Sequence, residues 1–279
     1  MFDFLKRKKM DHKTALHAAL GDYTLPSFSK IDLELMRRIR QPDISSGEIA
    51  EFLELDPALS VKLLALANSA AFTPRHEVRS VTMAVSLLGL SQVESLVMSA
   101  TLKKGIPAIR DAQLETGTFW RTAALRGVIA RDLAKRICPA QAPECFSAGF
   151  LQDLAVPFLL NHRPDDYGPI VETWHEGESA FQEAERKQFN WDHAEVATWI
   201  AHEWDLPAGL VSAIGGHHTP DDPEYDCPIP VALVANLSDS AESLARLCAR
   251  LEAYLAPEAI SILVQEAQET VDDFARFLT

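Results

Sequence analysis

Apolar residues recur three and four positions apart along most of the chain, which is the spacing of amphipathic helices. The clearest examples are Leu59, Leu63, Leu66 and Ala67, followed by Val93, Leu96, Val97 and Ala100. The sequence has no stretch that alternates apolar and polar residues like a half-buried strand, and no Asn-Gly or Asp-Gly pair marks a hairpin. The pattern therefore predicts an all-α protein built as a multi-helix bundle.

Capping residues set several of the predicted helix boundaries. Asp56, which is followed by a proline, is predicted to cap one helix. Asn68 follows that helix, either as its left-handed terminator or as a side chain that binds nearby backbone. Ser80 and Ser91 are predicted as successive N-caps of two helices joined by a turn at Gly89.

The stretch from Phe146 to Leu160 places the polar pair Gln152 and Asp153 inside an otherwise apolar helix. A buried carboxylate needs a charged or hydrogen-bonding partner, and we expect it among the histidines of residues 191–220. Pro157 cannot donate a hydrogen bond to the carbonyl of Asp153, so a bend is predicted in this helix. The sequence thus predicts one polar site within a helical core.

The composition narrows the classes of partner. The chain has 279 residues, 47% of them hydrophobic, with 26 Lys and Arg against 40 Asp and Glu, for a net charge of −14. This charge opposes general affinity for nucleic acid, whose phosphates it would repel. The short apolar segment at residues 1–9 predicts a frayed tail and no membrane span. The four cysteines show no Cys-x-x-Cys spacing, so we expect reduced thiols and a cytoplasmic location.

Several segments together resemble the HDOD domain, in order and in spacing. They are IAEFLELDPALSVKLLALANSA, SVTMAVSLLGLSQVESLVMSATL, GTFWRTAALRG, SAGFLQDLAV and WDHAEVATWIAHEWDLPAGLVSAIGGHH. The resemblance implies an HD-like helical fold and divides the chain into a tail with a short helix (1–24), an HDOD domain (25–236) and C-terminal helices (237–279). Within the domain it implies an N-terminal helical subdomain (25–106) packed on an HD-like subdomain (107–236).

The resemblance also implies where a metal site of the HD superfamily would fall. That superfamily contains metal-dependent phosphohydrolases, including the HD-GYP phosphodiesterases. The matching positions are Thr122, Gln152, Asp153, His193, His217, His218 and Asn236, with Asp239 as a second register for the last. Three of the four core ligands are thus replaced by uncharged residues.

These replacements decide what we expect of the chemistry. A two-metal site needs anionic and imidazole ligands to hold divalent ions and to activate water. Thr122, Gln152 and Asn236 supply no net charge, so Asp153 is the one core position that keeps a negative charge. We expect no catalytic residues, no bound metal and no cofactor.

Two further interpretations of the polar site stay open. Asp153, His193 and either His217 or His218 form a three-ligand set for a single metal ion. The same residues can instead be structural. In that case Asp153 is a hydrogen-bonded relic, His193 lies in the first turn of a helix capped by Asp192, and the histidine pair bonds free carbonyls at a helix end.

We interpret the chain as a non-catalytic bacterial regulatory module that binds signalling proteins of unknown identity, through a surface within residues 25–102. The alternatives are a residual metal-dependent phosphohydrolase or phosphodiesterase and a nucleotide sensor without turnover. For the sensor, Arg121, Arg126 and Arg131 lie on the helix that borders the relic site. The helices of residues 241–279 either pack on the domain or form a homo-oligomer.

Overall fold

A computed structural model describes residues 12–28, 30–39, 41, 43–110, 114–175 and 180–278. Every regular element in these ranges is helical, which confirms the all-α prediction. The α-helices α1 to α16 are, in order, His12–Leu20, Lys30–Ile39, Ser46–Leu53, Pro57–Ala67, Val81–Leu88, Leu90–Lys104, Thr116–Ile137, Ala142–Leu151, Val156–His162, Pro164–Val171, Ala180–Phe189, His193–Glu203, Ala208–Gly215, Ile229–Leu233, Ala241–Leu251 and Pro257–Leu278. The predicted tail at residues 1–9 lies outside the described residues.

The predicted caps of α4 and α5 are confirmed, whereas that of α6 is wrong. The backbone N–H of Leu59 donates to Asp56 Oδ1 at 3.0 Å, and that of Met83 donates to Ser80 Oγ at 3.1 Å. The helix α6 begins one residue before Ser91. Gly89, with φ of 80°, turns the chain sharply enough to start α6 without any side-chain cap.

Asn68 binds backbone at the end of α4. Its Nδ2 donates to the carbonyl of Val78 at 2.8 Å, and its Oδ1 accepts from the N–H of Val78 at 2.8 Å. Its φ of −92° is not left-handed. Of the two interpretations left open by the sequence, backbone binding is therefore the one that applies.

The predicted bent helix through Phe146–Leu160 is in fact two helices. The first, α8, ends at Leu151, and α9 begins at Val156 with Pro157 in its first turn. A proline fits the first turn of a helix because its missing N–H would have no partner there, so the chain restarts at this point. Asp153 therefore lies in the short segment between the two helices, where its side chain can contact residues from elsewhere in the chain.

The long helix α7 is the centre of the bundle, and α8 packs closely along it. Two glycines allow this approach. A Cβ at Gly127 would lie 2.9 Å from the carbonyl oxygen of Phe146, and one at Gly149 would lie 3.0 Å from that of Arg126. The backbones of α7 and α8 are therefore nearly in contact, which brings Arg126 of α7 beside the α8–α9 break.

The C-terminal helix α16 packs back on the bundle, against α7, α4 and α6. Its buried stripe includes Ile260, Leu263, Ala267, Val271 and Phe274. A continuous cluster of buried apolar residues joins these helices to the rest of the described chain. The sequence left open whether α16 packs or dimerises, and the structure shows that its apolar stripe is already covered. The predicted boundary at residues 106 and 107 stays a prediction.

No single helix in the described part of the chain is long and apolar enough to cross a membrane. Among the described helices, only α5 and α6 taken together reach that length and apolarity, and they meet at a bend of 110°.

The close packing of α7 and α8 predicts that Gly127→Ala and Gly149→Ala each lower the free energy of unfolding by about 1–3 kcal/mol, because each added methyl meets a backbone oxygen. Gly209→Ala is the matched control, since a Cβ there meets nothing within 4 Å. It should be neutral or raise stability by up to about 1 kcal/mol. Urea unfolding measures all three. Equal stabilities for the three variants would show that α7 and α8 are not this close.

Candidate functional site

Asp153 lies at the α8–α9 break with 4% of its surface exposed. Its Oδ2 accepts hydrogen bonds from Arg126 Nη1 and, at 2.8 Å, from Trp174 Nε1. Arg126 is equally buried, and its Nε donates to the carbonyl of Leu237 at 2.7 Å. Burial opposes ionisation of Asp153, but the guanidinium of Arg126 together with His193 and His217 outweighs it, and the pKa of Asp153 is held well below its ordinary value.

Three histidines meet on the other side of this carboxylate. His193 Nε2 lies 3.2 Å from His217 Nε2 and 3.0 Å from His218 Nε2. Asp153 Oδ1 lies 3.5 Å from His193 Nε2 and 3.7 Å from His217 Nε2. The structure therefore brings together four of the seven positions that the resemblance indicates. These are Asp153, His193, His217 and His218, although 64 residues separate Asp153 from His217 along the chain.

His193 is held in place by its helix and by a second carboxylate. Asp192 caps α12 in a capping box with Glu195, as the sequence predicts. Glu185 of α11 accepts from the backbone N–H of His193 at 3.1 Å and pairs with its Nδ1 at 2.6 Å, and it also accepts from Tyr167 Oη at 2.5 Å. These contacts fix the ring so that its Nε2 points at the other two histidines.

Glu185 was missed at the level of sequence, although a signal for it exists. It falls four residues after Phe181 and four before Phe189, which places it on the apolar stripe of α11. A carboxylate on such a stripe must be buried with a partner.

His217 and His218 follow the end of α13. His217 Nδ1 lies 2.5 Å from the carbonyl oxygen of Ile214. Because a carbonyl only accepts, Nδ1 carries the hydrogen, and the neutral ring presents an unprotonated Nε2 to His193. The structural role expected for a histidine at this helix end is thus present, together with its place in the cluster.

The charges of the three rings differ. Burial favours neutral His193, but the carboxylates of Glu185 and Asp153 outweigh it and raise the pKa of His193 to about 10. Burial also raises the pKa of Glu185, so Glu185 and His193 keep one proton between them. That proton resides on His193, because the carboxylate of Asp153 lies on the other side of the ring. Burial and the charge of His193 lower the pKa of His217 to about 4 and that of His218 well below its ordinary value. One ring is cationic at neutral pH and two are neutral.

The remaining positions of the predicted site are uncharged. Thr122 is fully buried, and among the described residues its hydroxyl has no hydrogen-bond partner. Gln152 Nε2 makes long contacts of 3.4 and 3.3 Å to the carbonyls of Val234 and Ala235. Asn236 is half-buried on the turn after α14. None of the three adds the negative charge that a pair of divalent ions requires.

Of the three arginines of α7 considered for a nucleotide sensor, only Arg126 pairs with Asp153. Arg121 Nε donates to Asp239 Oδ2 at 2.8 Å. Asp239, the alternative position for the last metal ligand, is therefore paired with an arginine. Arg131 is buried and pairs with Asp132 at 2.9 Å. All three guanidinium groups thus already bind carboxylates of the same chain.

The residues do not fit the two-metal site of HD phosphohydrolases. At the positions that the resemblance assigns to the first histidine, the doublet histidine and the last aspartate, the side chains are uncharged, and Arg126 already occupies one oxygen of Asp153. The guanidinium of Arg126 neutralises the charge of the retained carboxylate and occupies its Oδ2, so Asp153 cannot bridge two divalent ions.

The buried pair predicts that Arg126→Met lowers the free energy of unfolding by about 3–5 kcal/mol, because Asp153 is left buried without its cation. Arg121→Met is the matched control on the same helix, since Arg121 and Asp239 are both about a third exposed, and it should cost below about 1 kcal/mol. Adding Asp153→Asn to Arg126→Met should recover part of the loss. Chemical denaturation measures each variant, and equal losses for the two arginines would contradict this account of the pair.

The sequence profile of the HDOD domain matches residues 25–220. An uncharacterized protein of Treponema pallidum (strain Nichols) is 26% identical over 230 residues, which cover 81% of this chain and 44% of that protein. The chain thus spans less than half the length of this curated relative.

Similar solved structures show the fold. A Geobacter sulfurreducens HDOD domain protein of unknown function has a TM-score of 0.68 at 22% identity, covering 96% of this chain and 98% of its own. A Shewanella amazonensis SB2B protein provisionally described as a phosphohydrolase has a TM-score of 0.67 at 22% identity, with 91% and 94% covered. A Marinobacter aquaeolei VT8 protein provisionally described as a signal transduction protein has a TM-score of 0.69 at 19% identity, with 96% and 65% covered. With the fold and the matched profile in agreement, the chain belongs to the HDOD domain family.

Proposed function

We propose that this protein is a non-catalytic regulatory module of a bacterial signalling pathway that acts by binding other proteins. The observation that carries the proposal is the buried pair of Arg126 and Asp153. The carboxylate with which an HD hydrolase would bind metal ions forms an ion pair with an arginine of the same chain.

Hydrolysis of a phosphate ester by two metals depends on charged ligands that hold both ions and lower the pKa of bound water. In this chain the retained negative charge of Asp153 is neutralised by Arg126, and the replacement residues at the other core positions are neutral. The scaffold is kept while the charges needed for turnover are gone. This combination supports a role in binding and gives little support to a residual phosphohydrolase or to a nucleotide sensor.

The distribution of exposed apolar residues supports a binding surface in the N-terminal half. In the described part of the chain, eight large apolar side chains are exposed, and five of them fall within residues 25–102. Two of these, Met83 and Leu87, lie one turn apart on α5 with 46% and 43% of their surface exposed. Residues four apart share one face of a helix, so they form a small apolar ridge. Apolar anchors of this kind contribute much of the affinity at protein interfaces.

The ridge on α5 can be tested with a double variant, Met83→Glu with Leu87→Glu, used as bait in affinity capture with chemical cross-linking from the source cells. We expect it to lose at least tenfold of a partner that the wild type captures, because two carboxylates would be buried at the contact. The matched control is Tyr254→Glu with Ile262→Glu, whose side chains are 43% and 51% exposed outside the N-terminal half, and it should capture the partner normally.

Two outcomes would contradict the proposal. One is the absence of any reproducible partner of the wild-type protein. The other is metal-dependent turnover of a phosphate ester that disappears in Asp153→Ala, since a non-catalytic module has none.

A further inference from the structure

We propose that the three histidines bind one divalent transition metal ion of the zinc class, through Nε2 of His193, His217 and His218, with Asp153 Oδ1 as the fourth ligand. The ion would have a structural or regulatory role, because a two-metal reaction is not supported by this site. The inference goes beyond partner binding and does not depend on it.

The three ring nitrogens are close enough together for a single coordination sphere, and Asp153 Oδ1 lies beside two of them. A tetrahedral zinc ion with bonds of about 2.0–2.1 Å keeps its nitrogen ligands about 3.3–3.4 Å apart. In this cluster His193 Nε2 lies 3.2 and 3.0 Å from the other two nitrogens, and Asp153 Oδ1 lies 3.5 and 3.7 Å from two of the three. The ligand nitrogens of the three rings all lie within 4.8 Å of one another, so adjustments of the rings would place them on one ion, with Asp153 Oδ1 beside two of them.

The outer contacts of the rings point their ligand atoms at the same place. Glu185 pairs with His193 Nδ1, and the carbonyl of Ile214 accepts from His217 Nδ1. A carboxylate or carbonyl on the far nitrogen is the usual support of a metal-bound histidine, since it fixes the tautomer that presents Nε2. Tyr167 in turn holds Glu185, so this support is itself anchored.

Asp153 supplies a second, independent observation. Its Oδ2 accepts from Arg126 and Trp174, whereas its Oδ1 has no hydrogen-bond partner among the described residues. Only 4% of the residue is exposed, and a carboxylate oxygen at that depth needs a cation or a hydrogen-bond donor. The protonated ring of His193, 3.5 Å away, is the cation in the metal-free chain, and a bound metal ion would replace its proton. This oxygen is the one that lies nearest to the histidine nitrogens, so a cation bound there would satisfy it.

The residues favour one ion and indicate its class. Three imidazoles and one carboxylate suit zinc and its first-row neighbours better than magnesium or calcium, which prefer oxygen ligands. Arg126 keeps the other oxygen of Asp153, and the neighbouring core positions Thr122 and Gln152 carry no charge. Among the described residues, a second ion therefore has no ligand set beside the first.

The test is metal analysis of protein purified without an affinity metal, stripped with a chelator and reconstituted with Zn²⁺ or Co²⁺. We expect one ion per chain after desalting, and for Co²⁺ the visible absorption of a tetrahedral complex. His218→Gln should weaken binding at least tenfold, and Glu185→Gln should weaken it about 10–100-fold, because Glu185 supports a ligand without being one. His202→Gln is the matched control, since His202 is exposed on the same helix as His193, and it should bind like the wild type.

A stoichiometry far below one, or equal binding by His218→Gln, Glu185→Gln and His202→Gln, would show an adventitious ion only and overturn the proposal. Circular dichroism of the metal-free variants establishes that each is folded before binding is compared. The double variant Met83→Glu with Leu87→Glu should keep the ion. Loss of partner capture and loss of metal binding are therefore separate results.

Discussion

The site depends on one buried ion pair, that of Arg126 and Asp153. Once a carboxylate lies at the α8–α9 break with 4% of its surface exposed, a cation must accompany it, because an isolated charge at that depth is strongly unfavourable. Arg126 meets this need and also binds the carbonyl of Leu237, so that it joins α7, the α8–α9 break and the segment after α14. The close approach of α7 and α8 at Gly127 and Gly149 is what places the two charges side by side.

A second set of buried polar groups surrounds the first. Tyr167, Glu185 and His193 form a chain of short contacts from α10 through α11 to α12, and His217 and His218 continue it to the end of α13. Such networks hold their members in one arrangement when all of them are satisfied. Among the described residues of this network, one oxygen of Asp153 is the exception, and it faces the three rings. These helices thus hold a cluster of buried polar groups in one arrangement around Asp153.

Membership of the HDOD family and the charges around Asp153 both bear on the function proposed for this chain. The solved structures that share this fold are described as of unknown function, as signal transduction proteins and as phosphohydrolases, and at identities of 22% or less they establish only the fold. In this chain Arg126 neutralises Asp153, which is the reason for proposing a role in binding, while three ring nitrogens lie close enough together to share one ion.

The sequence alone determined what acts within one or two turns of the chain. Helical periodicity, the caps at Asp56, Ser80 and Asp192, and the ordered motifs that place Asp153 beside the later histidines are all local or pattern-level signals. The predicted cap at Ser91 was wrong because the positive φ of Gly89 starts α6 without a side-chain cap. The predicted bent helix was wrong because Pro157 favours the first turn of a new helix. The partners of the site were decided by tertiary structure. Arg126 lies 27 residues from Asp153, and the close packing of α7 on α8 is what brings them together. Burial of Glu185 and docking of α16 likewise follow from which helix faces meet, a long-range outcome that no local rule contains.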